Sequence, residues 1–338
     1  MDKNEFQKAL LDWFGQEKRD LPFRKTKNPY HIWISEVMAQ QTRIEALLRY
    51  YDRFVRQFPD VKALAQADPD ALMKAWQGLG YYSRARNLRK AARQCMEFWG
   101  GKMPPTKKDL LTLAGVGDYT AGAVASIAYG ECCTAIDGNV IRVFSRLNYL
   151  KEFSDDPKVR KQIVQWVEEA LPSKRCGDFN EALMELGALV CLPKSPKCSS
   201  CPVRRFCKGS LHEDVGALPL KKPKKKRTIE KKEIFVLAAW HEGQWWTRLH
   251  KRPEEGLLAG LYEFCSQKPA SVLKTQELED AVHVFSHKEW HMQGWLVLTE
   301  WQKDFVKWSD LEEKYALPSA FDSFYQQADA WLKGDWNG

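Results

Sequence analysis

Leu113-Ala114-Gly115-Val116-Gly117-Asp118-Tyr119-Thr120, followed further on by Ile136-Asp137-Gly138-Asn139-Val140, is the stretch on which the fold and chemistry of this chain turn. Two glycines around one apolar residue make a tight hairpin, and the small residues behind it carry helical periodicity. Backbone N–H groups at such a hairpin can approach an anion with no Cβ in the way, so Gly115, Val116 and Gly117 are candidate phosphate contacts. Asp137 stands isolated between apolar residues and a glycine, which makes it a candidate catalytic carboxylate. Together the two features suggest a grip on a DNA backbone beside a reacting acid.

At 338 residues the chain has room for about two domains with separate cores. Residues 1–210 read as roughly ten short helices with almost no strand; Ile44, Leu47, Leu48, Tyr51, Phe54 and Val55 form one apolar stripe. Residues 211–232 read as a basic linker. There Lys221, Lys222, Lys224, Lys225, Lys226, Arg227, Lys231 and Lys232 face the single Glu230, which accounts for nearly all of the net charge of +8. Overall charge is therefore a weak argument for DNA binding, and a solvated linker is the plainer reading of this run. Residues 233–335 change texture to short β-branched and aromatic runs (234–240, 245–249 and 295–299) and a closing helical pattern from Pro318 to Leu332. The expected fold is thus a mostly α N-terminal part joined to a smaller α+β domain. No apolar run is long enough to span a membrane and no secretory signal opens the chain, so a cytoplasmic (in a bacterium, nucleoid-associated), monomeric protein is expected.

Nine cysteines divide into a cluster and five scattered residues. Cys95, Cys132, Cys133, Cys176 and Cys265 read as small core residues without function. Cys191, Cys198, Cys201 and Cys207 follow C-x6-C-x2-C-x5-C, which can ligate either zinc or an iron–sulfur cluster. A single C-x2-C with long arms on each side favours [4Fe–4S] over zinc. Lys194, Lys197, Arg204, Arg205 and Lys208 beside these arms either meet phosphates or remain hydrated.

Hairpin, following Asp and cysteine spacing together resemble the helix-hairpin-helix base-excision DNA glycosylases that carry an iron–sulfur loop. In the endonuclease III branch a lysine nucleophile stands two residues beyond the second hairpin glycine. Tyr119 occupies that position here, which resembles the adenine DNA glycosylase (MutY) branch. Trp33-Ile34-Ser35-Glu36-Val37-Met38-Ala39-Gln40-Gln41-Thr42 resembles its catalytic-glutamate motif, and 78–87 (GLGYYSRARN) its duplex wedge. Residues 252–264 (RPEEGLLAGLYEF) and Phe285-Ser286-His287 resemble its Nudix-like C-terminal domain more loosely. Ala39 and Ala114 depart mildly from the family pattern.

The resemblance implies two helical subdomains, a [4Fe–4S] cluster on loop 191–207, and removal of adenine from 8-oxoguanine:adenine or guanine:adenine mispairs in duplex DNA. Glu36, among apolar neighbours, is expected to be a protonated general acid acting at adenine N7. Asp137 is expected to remain ionised, with its pKa lowered by helix N-termini, and to stabilise an oxocarbenium-like sugar. Asn139 and Glu181 match positions beside the flipped base. Gln41 and Tyr81, with Thr42 and Leu79 next to them, match residues that fill or wedge the duplex. Arg19 and Arg24 match lesion-strand contacts. Phe285, Ser286 and His287 match the 8-oxoguanine reader. Tyr119 cannot form a Schiff base, so little AP lyase activity is expected. The acidic cluster Glu277, Glu279 and Asp280 lacks the spacing of a pyrophosphatase site. A glycosylase/lyase for oxidised pyrimidines would need lysine at 119, and a non-enzymatic DNA-binding module has no use for two carboxyls in opposite protonation states.

Overall fold

The computed structural model describes residues 2–223 and 226–334; Lys224 and Lys225 of the basic run, and residue 335 of the expected C-terminal domain, lie outside them. Two compact units form: 2–66 with 87–223, and 67–86 with 226–334. This differs from a division at 210, because 67–86 groups with the C-terminal unit and 211–223 stays with the helical one.

Eleven helices precede residue 190: α1 (Lys3–Glu17), α2 (Pro29–Ala39), α3 (Ile44–Gln57), α4 (Val61–Gln66), α5 (Pro69–Ala75), α6 (Ser83–Phe98), α7 (Lys107–Leu110), α8 (Asp118–Ala128), α9 (Gly138–Leu147), α10 (Pro157–Ala170) and α11 (Cys176–Leu189). Proline at the first turn, where an N–H has no intrahelical partner anyway, opens α2, α5 and α10. In the helical unit the core gathers Phe6, Leu10 and Phe14 of α1 against Val140, Val143 and Phe144 of α9, Ile163 and Val167 of α10, and Phe179, Leu183 and Leu186 of α11. Helix α2 is buried nearly all round, with Ile32, Trp33, Ile34, Ser35, Val37 and Met38 enclosed. A polar side chain on such a helix must be paired or must face a cavity.

In the C-terminal unit a five-stranded sheet has the order β5-β6-β1-β2-β7. Its strands are β1 (Thr228–His241), β2 (Gln244–Thr247), β5 (Lys274–Val284), β6 (Lys288–Leu298) and β7 (Val306–Lys307); a two-stranded ribbon joins β3 (His250–Lys251) to β4 (Tyr262–Glu263). Only the β1–β6 pair is parallel, and β1 is buried on both faces from Ile234 to Ala239, as parallel strands commonly are. One face packs Ile234, Val236, Trp290, Met292 and Leu296 against Phe321, Phe324 and Ala328 at the C-terminal helix. The other collects Phe235, Leu237, Val297 and Phe305.

Three differences from the sequence reading have physical causes. Thr228–Lys232, read as linker, pair in register with Lys288–Met292, so ladder hydrogen bonds outweigh the basic composition. Strand β5 escaped notice because it is an edge strand with charged, mostly exposed side chains. The terminal helix, α13, spans Asp322–Gly334 behind a tight turn at Ser319–Phe321, with the short α12 (Leu311–Lys314) before it. Among the described residues no helix is long and apolar enough to cross a membrane.

Candidate active site

The hairpin closes because Gly115 adopts φ +71°, and a Cβ there would also lie 2.6 Å from the Asn87 side chain. Gly117 then caps α8. The Val116 N–H donates to the Leu113 carbonyl at 3.2 Å, so it serves the turn, and Val116 itself is buried. Gly115 and Gly117 line a cavity of about 810 Å³ in the helical unit. Glu36, Tyr119, Asp137, Asn139 and Glu181 line the same cavity, with Gln41, Thr42, Arg19 and Arg24. Most of the site read from sequence is thus brought together.

Three helices, α2, α9 and α11, deliver the carboxyls, and α8 delivers Tyr119. Asn28 caps α2 by accepting the Tyr30 N–H at 2.9 Å, and the enclosed helix turns Glu36 into the cavity. Tyr119, one residue into α8, donates its hydroxyl to Glu36 Oε2 and lies 3.3 Å from Met184 Sδ. Burial pushes the Glu36 carboxyl up to about 7; the Tyr119 bond opposes this, and the nearby Glu181 and Asp137 reinforce it. Burial and these acidic neighbours raise the Tyr119 pKa well above its ordinary value, so it stays a donor.

Asp137 is the N-cap of α9. Its Oδ1 accepts the Val140 N–H at 2.8 Å and its Oδ2 accepts the Asn139 amide at 2.6 Å. The expected lowering of its pKa is not what the site imposes. Desolvation outweighs the Val140 and Asn139 hydrogen bonds and the Arg142 charge, and the net direction is upward. Asn139 is fixed in turn, since its Oδ1 accepts from Arg142 Nη2 at 2.7 Å. Arg142 also donates to the Gly187 carbonyl at 2.9 Å and, through Nε, to the Cys191 carbonyl at 2.8 Å. A continuous chain of hydrogen bonds therefore links Asp137 to the start of the cysteine loop. Helix α11 approaches closely enough because position 187 is glycine; a Cβ there would sit 2.5 Å from Asn139 Cβ.

Arg19 and Arg24 were expected at the lesion strand, yet their guanidinium groups are taken up inside the protein. Glu185 Oε1 accepts from the Arg19 backbone N–H and Nε at 2.9 Å, and Oε2 from Arg19 Nη2 at 2.7 Å. The same carboxylate takes Arg24 Nη1 at 2.9 Å and Nη2 at 2.8 Å, while Arg24 Nε stands 3.5 Å from Glu181. Glu185 is fully buried, and the two guanidinium groups overcome desolvation to hold its pKa down to about 2. Sequence reading missed Glu185 and Arg142. The one available signal was the four-residue spacing from Glu181, which puts Glu185 on the same helical face.

Leu79, Tyr81, Phe285, Ser286 and His287 line a separate cavity of about 420 Å³, within the other unit. Tyr81 takes φ +46° and is 50% exposed, whereas Leu79, next to it in the cavity lining, is 6% exposed. The Phe285 N–H donates to the Lys288 carbonyl at 2.8 Å, so Ser286 and His287 occupy the exposed tip of the β5–β6 turn, and Phe285 packs edge-on to Trp290.

Cys191, Cys198, Cys201 and Cys207 are free thiols on successive tight turns after α11. Arg146, 1% exposed, organises the loop by donating to Cys191 Sγ at 3.3 Å and to the Leu192, Pro193, Gly216 and Leu218 carbonyls. Among the described residues no three or more His, Cys, Asp or Glu are gathered as a single metal ion requires. The flanking Lys194, Lys197, Arg204, Arg205 and Lys208 are exposed. The reading of the other five cysteines as core residues needs correction at three positions, since Cys133 is only half-buried and two others are bonded to each other. Cys132 and Cys176 form a disulfide with Cα atoms 5.3 Å apart, which ties the loop before Asp137 to the start of α11. Cys95 and Cys265 are buried as expected.

Residues 34–169 match the family described as HhH-GPD superfamily base excision DNA repair protein, and residues 235–327 match the NUDIX domain. Among solved structures, a thermostable thymine-DNA glycosylase superposes with a TM-score of 0.57 at 28% identity, over 62% of this chain and 96% of that one. Fold and hairpin are those of the helix-hairpin-helix base-excision class, joined to a Nudix-like domain. An adenine DNA glycosylase of Rattus norvegicus is 34% identical over 85% of this chain and 69% of its own length; one of Buchnera aphidicola (subspecies Schizaphis graminum) is 31% identical over 92% and 94%. The chain belongs to the adenine DNA glycosylase family.

Proposed function

We propose that this protein is a monofunctional glycosylase that extrudes adenine mispaired with 8-oxoguanine, or less readily with guanine, and hydrolyses its N-glycosidic bond. The observation that carries the reading is one cavity holding Glu36, pushed up to about 7, with Tyr119 donating to it and Asp137 nearby. Glu36 protonates N7, which makes adenine a better leaving group, and then takes a proton from the attacking water. Asp137, its anion held by Val140, Asn139 and Arg142, stabilises the positive sugar. Asn139 orients Asp137, and Glu181 shares the proton network. Gly115 and Gly117 approach the backbone, Gln41 and Thr42 border the extruded base, and Tyr81 enters the duplex. With tyrosine at 119 no amine attacks C1′ from that position.

The cysteine quartet fits a [4Fe–4S] cluster. One C-x2-C with long arms on each side, on a loop pinned by a buried arginine that also donates to one sulfur, supports a multi-iron group over tetrahedral zinc. The cluster would be held by Cys191, Cys198, Cys201 and Cys207 and would supply the loop's structural anchor. Purified protein should be brown, with thiolate-to-iron absorption that zinc cannot produce.

A direct test incubates the protein with labelled 8-oxoguanine:adenine duplex and with a thymine-glycol duplex, each with and without alkali. Strand breaks are expected at adenine only, and only after alkali; cleavage at thymine glycol, or no adenine release, overturns the reading. In the second cavity Ser286 is the hydrogen-bonding reader of 8-oxoguanine. Ser286→Ala should reduce the preference for 8-oxoguanine over guanine by about tenfold, the worth of one hydrogen bond. Unchanged discrimination would remove Ser286 from that role.

A further inference from the structure

Beside the reacting groups lies a buried ion cluster that the excision chemistry above does not use. Glu185 projects from α11 one turn beyond Glu181 and closes a bidentate pair with Arg24, whose turn (Pro22–Arg24) precedes α2. Arg24 Nη1 also reaches the Arg19 carbonyl at 3.4 Å, and the guanidinium stacks 5.6 Å over Phe14. Arg24 is therefore held from several sides, and it acts on Glu36 through its field alone.

We propose that Glu185 is a positioning residue for adenine excision: by gripping Arg24 it keeps that guanidinium from closing on the Glu36 carboxyl. A bare arginine beside a half-buried carboxyl closes onto it, because the ion pair relieves the desolvation of both. Glu36 paired in this way would give up the proton that the reaction needs. The other groups acting on Glu36 are Tyr119 from α8, Glu181 from α11 and Asp137 at the start of α9; the two carboxylates favour protonation, and the tyrosine and the Arg24 charge oppose it, while Arg19, Arg142 and Lys221 line the same cavity. Glu181 alone is a poor substitute clamp, since it meets Arg24 at 3.5 Å through one atom and also feels Lys18, Lys27 and Asp178. Arg19, the second guanidinium on Glu185, is the more solvent-facing of the two.

This proposal rests on Glu36 acting as a general acid, and the test separates the two. Single-turnover adenine excision is measured from pH 5.5 to 9 (an approximate working range spanning the usual catalytic pKa values) for the parent protein, Glu185→Gln, Arg24→Gln and the double variant. Folding is monitored by circular dichroism and by binding of 8-oxoguanine:adenine duplex. In Glu185→Gln the alkaline limb should move down by about one pH unit or more, the usual effect of a new opposite charge on a carboxyl. Adding Arg24→Gln should return the limb to the parent position or above it, whatever the absolute rate. A uniform loss of rate with the limb unmoved, or a double variant whose limb stays where Glu185→Gln put it, overturns the proposal. If Glu185→Gln does not fold, Glu185→Asp decides: a smaller shift in the same direction supports the clamp, and no shift overturns it. A parent protein with no alkaline limb near 7 would instead remove the general-acid reading itself.

Discussion

Replacing Glu36 with glutamine is expected to lower single-turnover adenine excision about a thousandfold, within the range general acid–base catalysis supplies, while duplex affinity changes little. Glutamine preserves shape and still accepts a hydrogen bond from Tyr119, so the loss isolates the proton. On the proposed chemistry the active form of the parent protein is the one with Glu36 protonated, and burial pushes that carboxyl up to about 7. Excision should therefore be flat on the acid side of that value and fall about tenfold per pH unit above it, and Glu36→Gln should lack this limb. Stability carries the opposite signature. With the folded pKa raised above the unfolded one, Glu36 costs stability as pH climbs from the ordinary carboxyl value, and the cost is fully present above about 7. Glu36→Gln should thus melt at a higher temperature than the parent at pH 8 (about one unit above that value) but not at low pH. An equal melting difference at both pH values would show that burial is not what perturbs this group.

Asp137→Asn should cost about a hundredfold to a thousandfold in excision, the usual worth of an electrostatic group aimed at developing charge. Its effect on folding should be small. Asparagine caps helices as well as aspartate does, so the Val140 N–H keeps an acceptor. What is lost is the second oxygen facing the Asn139 amide, a hydrogen bond to a charged group worth about 1.5–3 kcal/mol, offset by removing a carboxylate whose burial costs free energy. Melting curves and single-turnover rates measured on the same preparation check both halves. A large drop in melting temperature would mean that the rate loss reports damage to α9 rather than loss of charge.

Legibility in the sequence followed the range of the interactions involved. Glu36, Tyr119 and Asp137 sit in short local patterns (an apolar helix around one carboxyl, a glycine hairpin, an acid before a helix) that mark them as candidates, while their roles rest on the family resemblance of those motifs. The Arg19–Glu185 and Arg24–Glu185 pairs join residues more than 160 positions apart, and apart from its spacing from Glu181 nothing local distinguishes Glu185 from a surface glutamate on a helix. The disulfide is hidden in the same way, its cysteines being 44 residues apart. The direction of the Asp137 pKa was misjudged for a different reason: a helix N-terminus is visible in sequence, but the depth at which it is buried is not. At the fold level the helical region is plain from periodicity, and the buried half of β1 from its β-branched and aromatic run at 234–240, while its first residues look like linker. Strand β5 was hidden because an exposed edge keeps charges that look like loop.

Asp137 is the cap of α9 and, on the proposed chemistry, also the catalytic anion, which sets the two carboxyls apart. Whenever α9 forms, its first turn holds this side chain by two hydrogen bonds, so one half of the chemical equipment is put in place once, during folding, and persists through the life of the molecule. Glu36 has no such permanence. On the proposed chemistry it gives a proton to the base and regains one from the attacking water, so its charge changes twice in each cycle while that of Asp137 does not.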